Sequence, residues 1–141
     1  MEKKMNNKGF SLVELIIVVA IMAVLIGVLA PTYLKYVETS RRTSDCTSVG
    51  SILDACEVLA VDPNHTWADE TISFSATGTC SGASTALNDI TGCNGMELQA
   101  DWGAFTITAT KGTTGEVTFA VTSGNFATDC ASYSDALANR F

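Results

Sequence analysis

The chain has 141 residues and a formal net charge of −7 at pH 7. Its length leaves room for one small domain beside an apolar segment near the N-terminus, and its negative charge argues against a nucleic-acid partner. Because it has one histidine, His65, and no Cys-x-x-Cys pair among five cysteines, it cannot supply four well-spaced zinc ligands. We therefore expect neither a metal nor a cofactor.

Residues 1–9 form a short, basic and polar stretch that contains Lys3, Lys4 and Lys8. Such a stretch before an apolar run is typical of an export signal. A secretory cleavage site after the run would lie near Ala30, but Val28 stands where a small residue is required and Pro31 follows at once. We therefore expect any cut to fall before the apolar segment, which then stays in the mature protein.

From Leu12 to Ala30 the only charged residue is Glu14. A helix rises about 1.5 Å per residue, so this run spans about 28 Å, close to the hydrocarbon thickness of a bilayer. The run has no polar face, which predicts a helix buried all round in lipid or among other helices. A plain single-pass anchor would not explain Glu14, because a carboxylate inside a bilayer costs on the order of 2.5–3.5 kcal/mol and seldom lacks a partner.

The segment Lys8-Gly9-Phe10-Ser11-Leu12-Val13-Glu14, followed by the apolar run and Pro31, resembles the N-terminus of a type IV prepilin with its class III leader peptide. The resemblance implies that a membrane-embedded prepilin peptidase cuts between Gly9 and Phe10 and methylates the new amine, giving N-methyl-Phe10. It also implies that Glu14 pairs with the N-terminal amine of a neighbouring subunit in a filament core. This pairing agrees with the physics, since it neutralises a carboxylate that is costly to bury alone.

Two weak points of the predicted helix coincide near its middle. Pro31 lacks an N–H group and cannot bond to the carbonyl of Gly27 one turn earlier, so the helix can kink or loosen between them. The resemblance implies that the segment ahead of the proline can unwind in a filament, although Ala23 stands where many pilins have a further glycine. A passive kink and an unwinding segment both remain open.

Helical patterning resumes after Pro31 and changes in character. Charged residues at i,i+3 and i,i+4 spacing predict a solvated face: Lys35, Glu38, Arg41, Arg42 and Asp45. Apolar residues at 3–4 residue spacing then predict a stripe that is buried on one side: Val49, Ile52, Leu53, Cys56, Leu59 and Ala60. Because Pro63 ends the pattern, we predict one helix from about 11 to 61, with residues 10–31 as a membrane or filament-core segment and residues 32–62 as its amphipathic continuation.

Residues 63–141 are expected to form a globular head rich in β-structure. Residues 64–103 look irregular, apart from a short strand at 71–75. Alternating apolar residues and threonines predict a hairpin with strands at 105–110 and 117–122, whose apolar face should pack on the stripe of the long helix. The fold class is therefore α+β and type IV pilin-like, with a long N-terminal helix against a small antiparallel sheet.

The cysteines suggest up to two disulfides in an exported chain. Cys80 and Cys93 bracket a long loop, and a disulfide between them is our first expectation. Cys46 and Cys56 lie about 15 Å apart along a helix and cannot bridge each other, but either can reach Cys130 in the tail that holds Tyr133, Leu137 and Phe141. We favour Cys56, because it lies on the buried stripe.

No residue pattern supports an enzyme. His65 follows a proline in a turn and is expected at the surface, Asp69 and Glu70 are expected to be two loop acids, and Trp67 and Trp102 are expected to serve packing. The sequence has no phosphate-binding glycine loop, no Gly-x-Ser-x-Gly and no His-Glu-x-x-His.

The leading interpretation is a structural one: a pilin that polymerises through its N-terminal helix into a surface filament for adhesion, motility or aggregation. Its implied partners are the prepilin peptidase, identical or related subunits and the assembly machinery in the membrane. The resemblance implies a cytoplasmic N-terminus for the membrane-bound precursor. A pseudopilin of a type II secretion system, a competence pilus subunit and a membrane-tethered binding domain that never polymerises remain alternatives.

Overall fold

The structure, a computed structural model, describes residues 9–122 and 126–133. Most of the predicted leader (residues 1–8), the side chain of Tyr133, and Leu137 and Phe141 of the tail lie outside the described part. The elements in chain order are α1 (Leu12–Val61), β1 (Glu70–Phe74), β2 (Cys80–Ser81), α2 (Thr85–Thr91), β3 (Phe105–Lys111), β4 (Val117–Thr122) and α3 (Phe126–Tyr133). A long helix followed by an antiparallel sheet confirms the α+β class.

Two compact units make up the chain, one up to Val37 and one from Glu38 onwards. Helix α1 contributes to both, and its bounds agree with the predicted helix to within one residue at its start. In the second unit, which we call the head, one side of α1 is buried. That side includes every residue of the predicted stripe, from Val49 to Ala60.

The sheet of the head has four strands in the order β2-β1-β3-β4, and every pair is antiparallel. The predicted hairpin is confirmed as β3 and β4, with Ala109 opposite Phe119. Since side chains alternate between the two faces of a sheet, the apolar residues of all four strands, apart from Ala120, point the same way. They form one core with the stripe of α1, as predicted, and the core residues of the sheet are Ile72, Phe74, Cys80, Phe105, Ile107, Ala109 and Phe119.

The interval 64–103 is more regular than expected. Helix α2 begins at Ser84, whose side chain accepts a hydrogen bond from the N–H of Leu87. It ends at Gly92, whose left-handed backbone (φ 64°) lets its N–H bond to the carbonyl of Asn88. A serine before a short helix and a glycine after it are the usual start and stop signals. The prediction of an irregular interval is therefore wrong at α2 and at the short strand β2.

Cys80 and Cys93 are joined by a disulfide, as the long loop between them predicted. The second disulfide joins Cys46 to Cys130, so the predicted link between Cys56 and Cys130 is wrong. Packing of α3 explains the pairing: the ring of Phe126 stacks on Phe105 with centroids 4.1 Å apart, and this brings α3 beside the first buried turn of α1. Cys56 lies ten residues further along α1, where it is buried as a free thiol.

Candidate functional site

The first turn of α1 engages the carboxylate of Glu14. The N–H of Ser11 donates to Glu14 Oε2 at 3.0 Å, and the carbonyl of Ser11 accepts the first helical hydrogen bond, from the N–H of Leu15 at 3.2 Å. Ser11 is therefore the N-cap and Glu14 the third residue of the helix, the spacing of a capping box. The pattern Ser-x-x-Glu was readable in the sequence, but our sequence analysis missed it.

Gly9 and Phe10 precede the helix and are exposed. Phe10 is 88% exposed, and a Cβ atom added to Gly9 would meet nothing within 4 Å. The peptide bond between these two residues therefore lies in non-helical backbone, without side chains of the described residues packed over Gly9.

The apolar run that follows is not buried by any residue that the structure describes. Large apolar side chains from Phe10 to Tyr36 are between 49% and 88% exposed. An 18-residue window of α1 has a mean hydropathy of 3.1 and no buried residue, so by length and composition the helix can cross a membrane. Burial of apolar surface is worth about 25 cal/mol per Å², so a helix of this kind is stable only in lipid or against other apolar helices.

Gly27 and Pro31 both lie inside α1, which is a continuous helix through them. A Cβ atom added at Gly27 would meet nothing within 4 Å, so the glycine is not needed for close packing inside the described chain. The missing N–H of Pro31 still removes a hydrogen bond at this point. A loosening of the helix here therefore remains a prediction.

Asp45 is a buried acidic side chain of the head with three hydrogen-bond donors around it. Its carboxylate is 3% exposed and accepts hydrogen bonds from the N–H of Gln99 (2.9 Å), the N–H of Ala100 (2.8 Å) and Nε1 of Trp102 (2.9 Å). The prediction that Asp45 belongs to a solvated face is wrong. Its position four residues before Val49 was the missed signal, because that spacing places it on the buried stripe.

Arg42 joins the same region from the turn before. Its guanidinium lies 4.6 Å from the centre of the Trp102 ring, and its Nε contacts Glu38 at 2.9 Å in an i,i+4 ion pair. Its Nη1 lies 3.8 Å from Oδ2 of Asp129 in α3. Arg42, Asp45 and the Cys46–Cys130 disulfide therefore hold the segment 99–102 and α3 against one side of α1.

A second buried polar group lies near the other end of the helix. Glu70, expected to be a loop acid, lies in β1, is 5% exposed and accepts a hydrogen bond from the N–H of Ser84 at 3.2 Å. His65, expected at the surface, is mostly buried, with Nε2 3.6 Å from Glu70 Oε1. Burial, with a smaller effect of Glu70 and Glu57, raises the pKa of the Cys56 thiol to about 12, which makes it a poor nucleophile.

In residues 9–122 and 126–130, no three His, Cys, Asp or Glu side chains form a group that could hold a metal ion.

The structure separates two kinds of predicted site residue. Gly9, Phe10 and Glu14 lie together around the start of α1, whereas Cys56, Cys80, Cys93 and Cys130 belong to the packing of the head.

Comparison with known proteins gives one family model and one relative. Residues 4–30 match the family model of the prokaryotic N-terminal methylation motif. The chain is also similar to the type IV major fimbrial protein FimA of Dichelobacter nodosus, with 30% identity over 119 residues that cover 77% of this chain and 73% of the relative. No solved structure matches.

Proposed function

Because this chain belongs to the type IV pilins, we propose that it is the structural subunit of a type IV pilus, cut after Gly9 and polymerised through α1. The observation that carries the proposal is the exposed apolar part of α1, most of which lies within the matched methylation motif at residues 4–30. Apolar surface of this extent requires a cover, and other copies of the same helix provide one in a filament. The similarity to a major fimbrial protein favours a pilus subunit over a pseudopilin.

Processing is the first step of the proposed pathway. A membrane-embedded prepilin peptidase hydrolyses the bond between Gly9 and Phe10 and then methylates the amine of Phe10. The exposed, non-helical backbone around Gly9 supports this step, since a peptidase must bind an extended segment. Until assembly, the apolar run holds the precursor in the cytoplasmic membrane as a single-pass protein with its N-terminus in the cytoplasm.

Glu14 directs the second step, assembly. In the described chain the Glu14 carboxylate is satisfied only by the Ser11 N–H, which leaves its negative charge without a cation among the described residues. Cleavage creates an amine at Phe10, and the amine of one subunit pairs with the Glu14 carboxylate of its neighbour inside the filament. Each of the two charges alone is costly in an apolar surrounding, and in the pair they neutralise each other.

Small features of the apolar run also support helix packing. A shallow notch of about 300 Å³ is lined by the apolar residues Ala20, Ile21, Val24 and Leu25. The small side chain of Ala20 leaves room in which a side chain of another helix can seat. The assembled subunits form an extracellular filament, and the membrane assembly machinery adds them one at a time.

Intact-mass measurement on filaments sheared from the native cell tests the proposal. The expected mature chain begins at Phe10 and carries one additional methyl group. Filaments whose subunits still begin at Met1 would contradict the proposal. So would native cells that make this protein but shed no filaments of it. A Gly9→Val change is expected to block the cut, because a branched side chain replaces the small residue at the site, and the uncut precursor should accumulate in the membrane.

A further inference from the structure

The outward side of the sheet is built almost entirely from hydroxyl side chains. Alternation along the strands places nine residues on the side away from α1, and eight of them are threonine or serine. We call this set the hydroxyl face: Thr71, Ser73, Ser81, Thr106, Thr108, Thr110, Thr118, Ala120 and Thr122. Six of the nine are exposed, and the other three, Ser73, Thr106 and Thr108, are partly covered by their neighbours.

Strand register places these hydroxyls in rows. One row crosses all four strands: Ser81, Ser73, Thr106 and Thr122. A second row pairs Thr71, Thr108 and Ala120. Thr106 Oγ1 lies 3.4 Å from Ser73 Oγ, and Thr118 Oγ1 donates to the carbonyl of Thr110 at 3.3 Å. The side chains are thus oriented by one another and present a regular surface of short groups.

The hydroxyl face carries no charge in a chain whose net charge is −7. The strands contain two charged residues, and both belong to the opposite side. Glu70 is buried, and Lys111 donates from Nζ to the carbonyl of Ala60 near the end of α1. Other acidic residues of the head lie outside the hydroxyl face, for example Asp54 and Glu57 on the exposed side of α1.

Taking the proposed filament as given, we propose that the hydroxyl face is the contact through which neighbouring filaments associate, each face meeting the same face of a second copy. Two acidic surfaces repel each other, so close approach of like subunits requires a patch without charge. The face has no cation that could hold a phosphate and no aromatic ring on which a base could stack, which disfavours nucleic acid as its partner.

The area of the hydroxyl face explains why the contact forms between filaments and not between two single subunits. Strands lie about 4.8 Å apart and residues on one face repeat about every 6.8 Å, so nine residues cover about 300 Å². Two such faces bury about 600 Å², roughly half of what a stable complex of two proteins needs. One pair of heads therefore does not stay together, whereas many pairs along two filaments act as a multivalent contact.

A charge-reversal experiment on full-length protein in the native cell tests the pairing of like faces. Thr108, near the centre of the hydroxyl face, is changed to Glu in one strain and to Lys in another. Each change places like charges opposite each other, so filaments of either variant should need about tenfold or more higher concentration to bundle. Mixing the two kinds of filament should restore bundling, because Glu then meets Lys. Light scattering and electron microscopy of sheared filaments give the measurement.

The matched control is Thr113, an exposed threonine in the turn between β3 and β4 and outside the hydroxyl face. Thr113→Glu and Thr113→Lys filaments should each bundle as wild type does. Equal bundling of wild-type and Thr108→Glu filaments, or a mixture that bundles no better than its parts, overturns the proposal. So does a mixture effect that appears equally at Thr113.

Failure of the filament itself is a separate result. If the wild-type chain sheds no filaments, the proposed function fails. If wild type polymerises but both Thr108→Glu and the edge-strand variant Ala120→Glu do not, the hydroxyl face is a contact within the filament and the lateral contact is excluded. Wild-type filaments that stay single at every salt concentration also exclude it, because screening of the acidic charge should promote bundling.

Discussion

The two parts of α1 differ in what covers them. The part up to Val37 is the most apolar stretch of the chain, yet none of its residues is buried within the part of the chain that the structure describes. The part from Glu38 to Val61 is less apolar, and ten of its residues are buried. Burial thus follows the one-sided pattern of the second part and not hydrophobicity as such. The first part requires a partner from outside the chain, whereas the second part finds its partner in the sheet.

Removing Glu14 should impair the assembly role of the first part of α1 and leave the fold of the second part unchanged. Glu14→Ala should reduce the yield of sheared filaments at least about tenfold, because the amine of the incoming subunit loses its counter-charge. The fold of the head should not change, since the contact of Glu14 in the described chain is with Ser11. Immunoblotting of sheared filaments measures the yield.

Two further variants separate charge from helix capping. Glu14→Gln keeps the hydrogen-bonding group of the capping box but not the charge, so it should fail like Glu14→Ala. Glu57→Ala removes an exposed carboxylate from the second part of α1 and should leave the yield unchanged. Normal filaments from Glu14→Gln would show that capping, and not charge, is what assembly needs.

Truncating a residue of the buried stripe should instead lower the stability of the head. Leu53 is fully buried, and Leu53→Ala should lower the free energy of unfolding of the head by about 2–5 kcal/mol through lost burial and a cavity. Ile17 is 53% exposed, and Ile17→Ala should leave that free energy unchanged. Near-ultraviolet circular dichroism of detergent-solubilised subunits during denaturation measures both. An equal effect at the two positions would contradict the division of the helix.

Asp45 offers a smaller and more local effect. Asp45→Ala leaves three donors without their acceptor; the hydrogen bond from Ala100 is buried and the other two are part-buried, so we expect a cost of about 1–3 kcal/mol. Hydrogen exchange at the amides of Gln99 and Ala100 should accelerate, since both donate to this carboxylate. The amides of β3 and β4 serve as the internal reference. Unchanged exchange at residues 99 and 100 would show that the segment is held without Asp45.

At neutral pH, the smallest effect on stability is expected at the Cys56 thiol, because its ionisation matters only at alkaline pH. Its pKa of about 12 lies above the ordinary value of 9.0 because of burial, so at pH 8 the folded thiol should alkylate about a thousandfold more slowly than the unfolded one. Above pH 9.0 the unfolded thiol ionises while the folded one stays protonated, so this contribution to stability is complete below pH 9.0 and disappears as the pH rises towards 12. A Cys56→Ala chain should lack that alkaline dependence.

The sequence was informative where one pattern runs over many residues. The apolar run, the stripe of α1 and the hairpin of β3 and β4 each repeat a signal several times, and each was predicted correctly. Helix α2 was missed because seven residues with Thr, Asn and Asp carry almost no periodicity. Strand β2 has two residues, which is too short for any alternation.

The errors at the candidate site arose from long-range contacts. Asp45 looks like one more charge on a solvated helix until the segment 99–102 is placed against it. The partner of Cys130 depends on where α3 lies, and the stacking of Phe126 on Phe105 decides that. Local patterns contain no information on contacts between residues more than fifty positions apart.

The Cys46–Cys130 disulfide also sets an order of events in the life of the chain. Cys46 is synthesised 84 residues before its partner, and Cys56, Cys80 and Cys93 are all made in between. At about 5–20 residues per second, Cys46 waits roughly 4 to 17 s for Cys130 while three wrong partners are already present. The native bond therefore forms only after the ribosome has made residue 130, or after an earlier bond is exchanged. A subunit that carries this bond has been synthesised at least as far as Cys130 in α3.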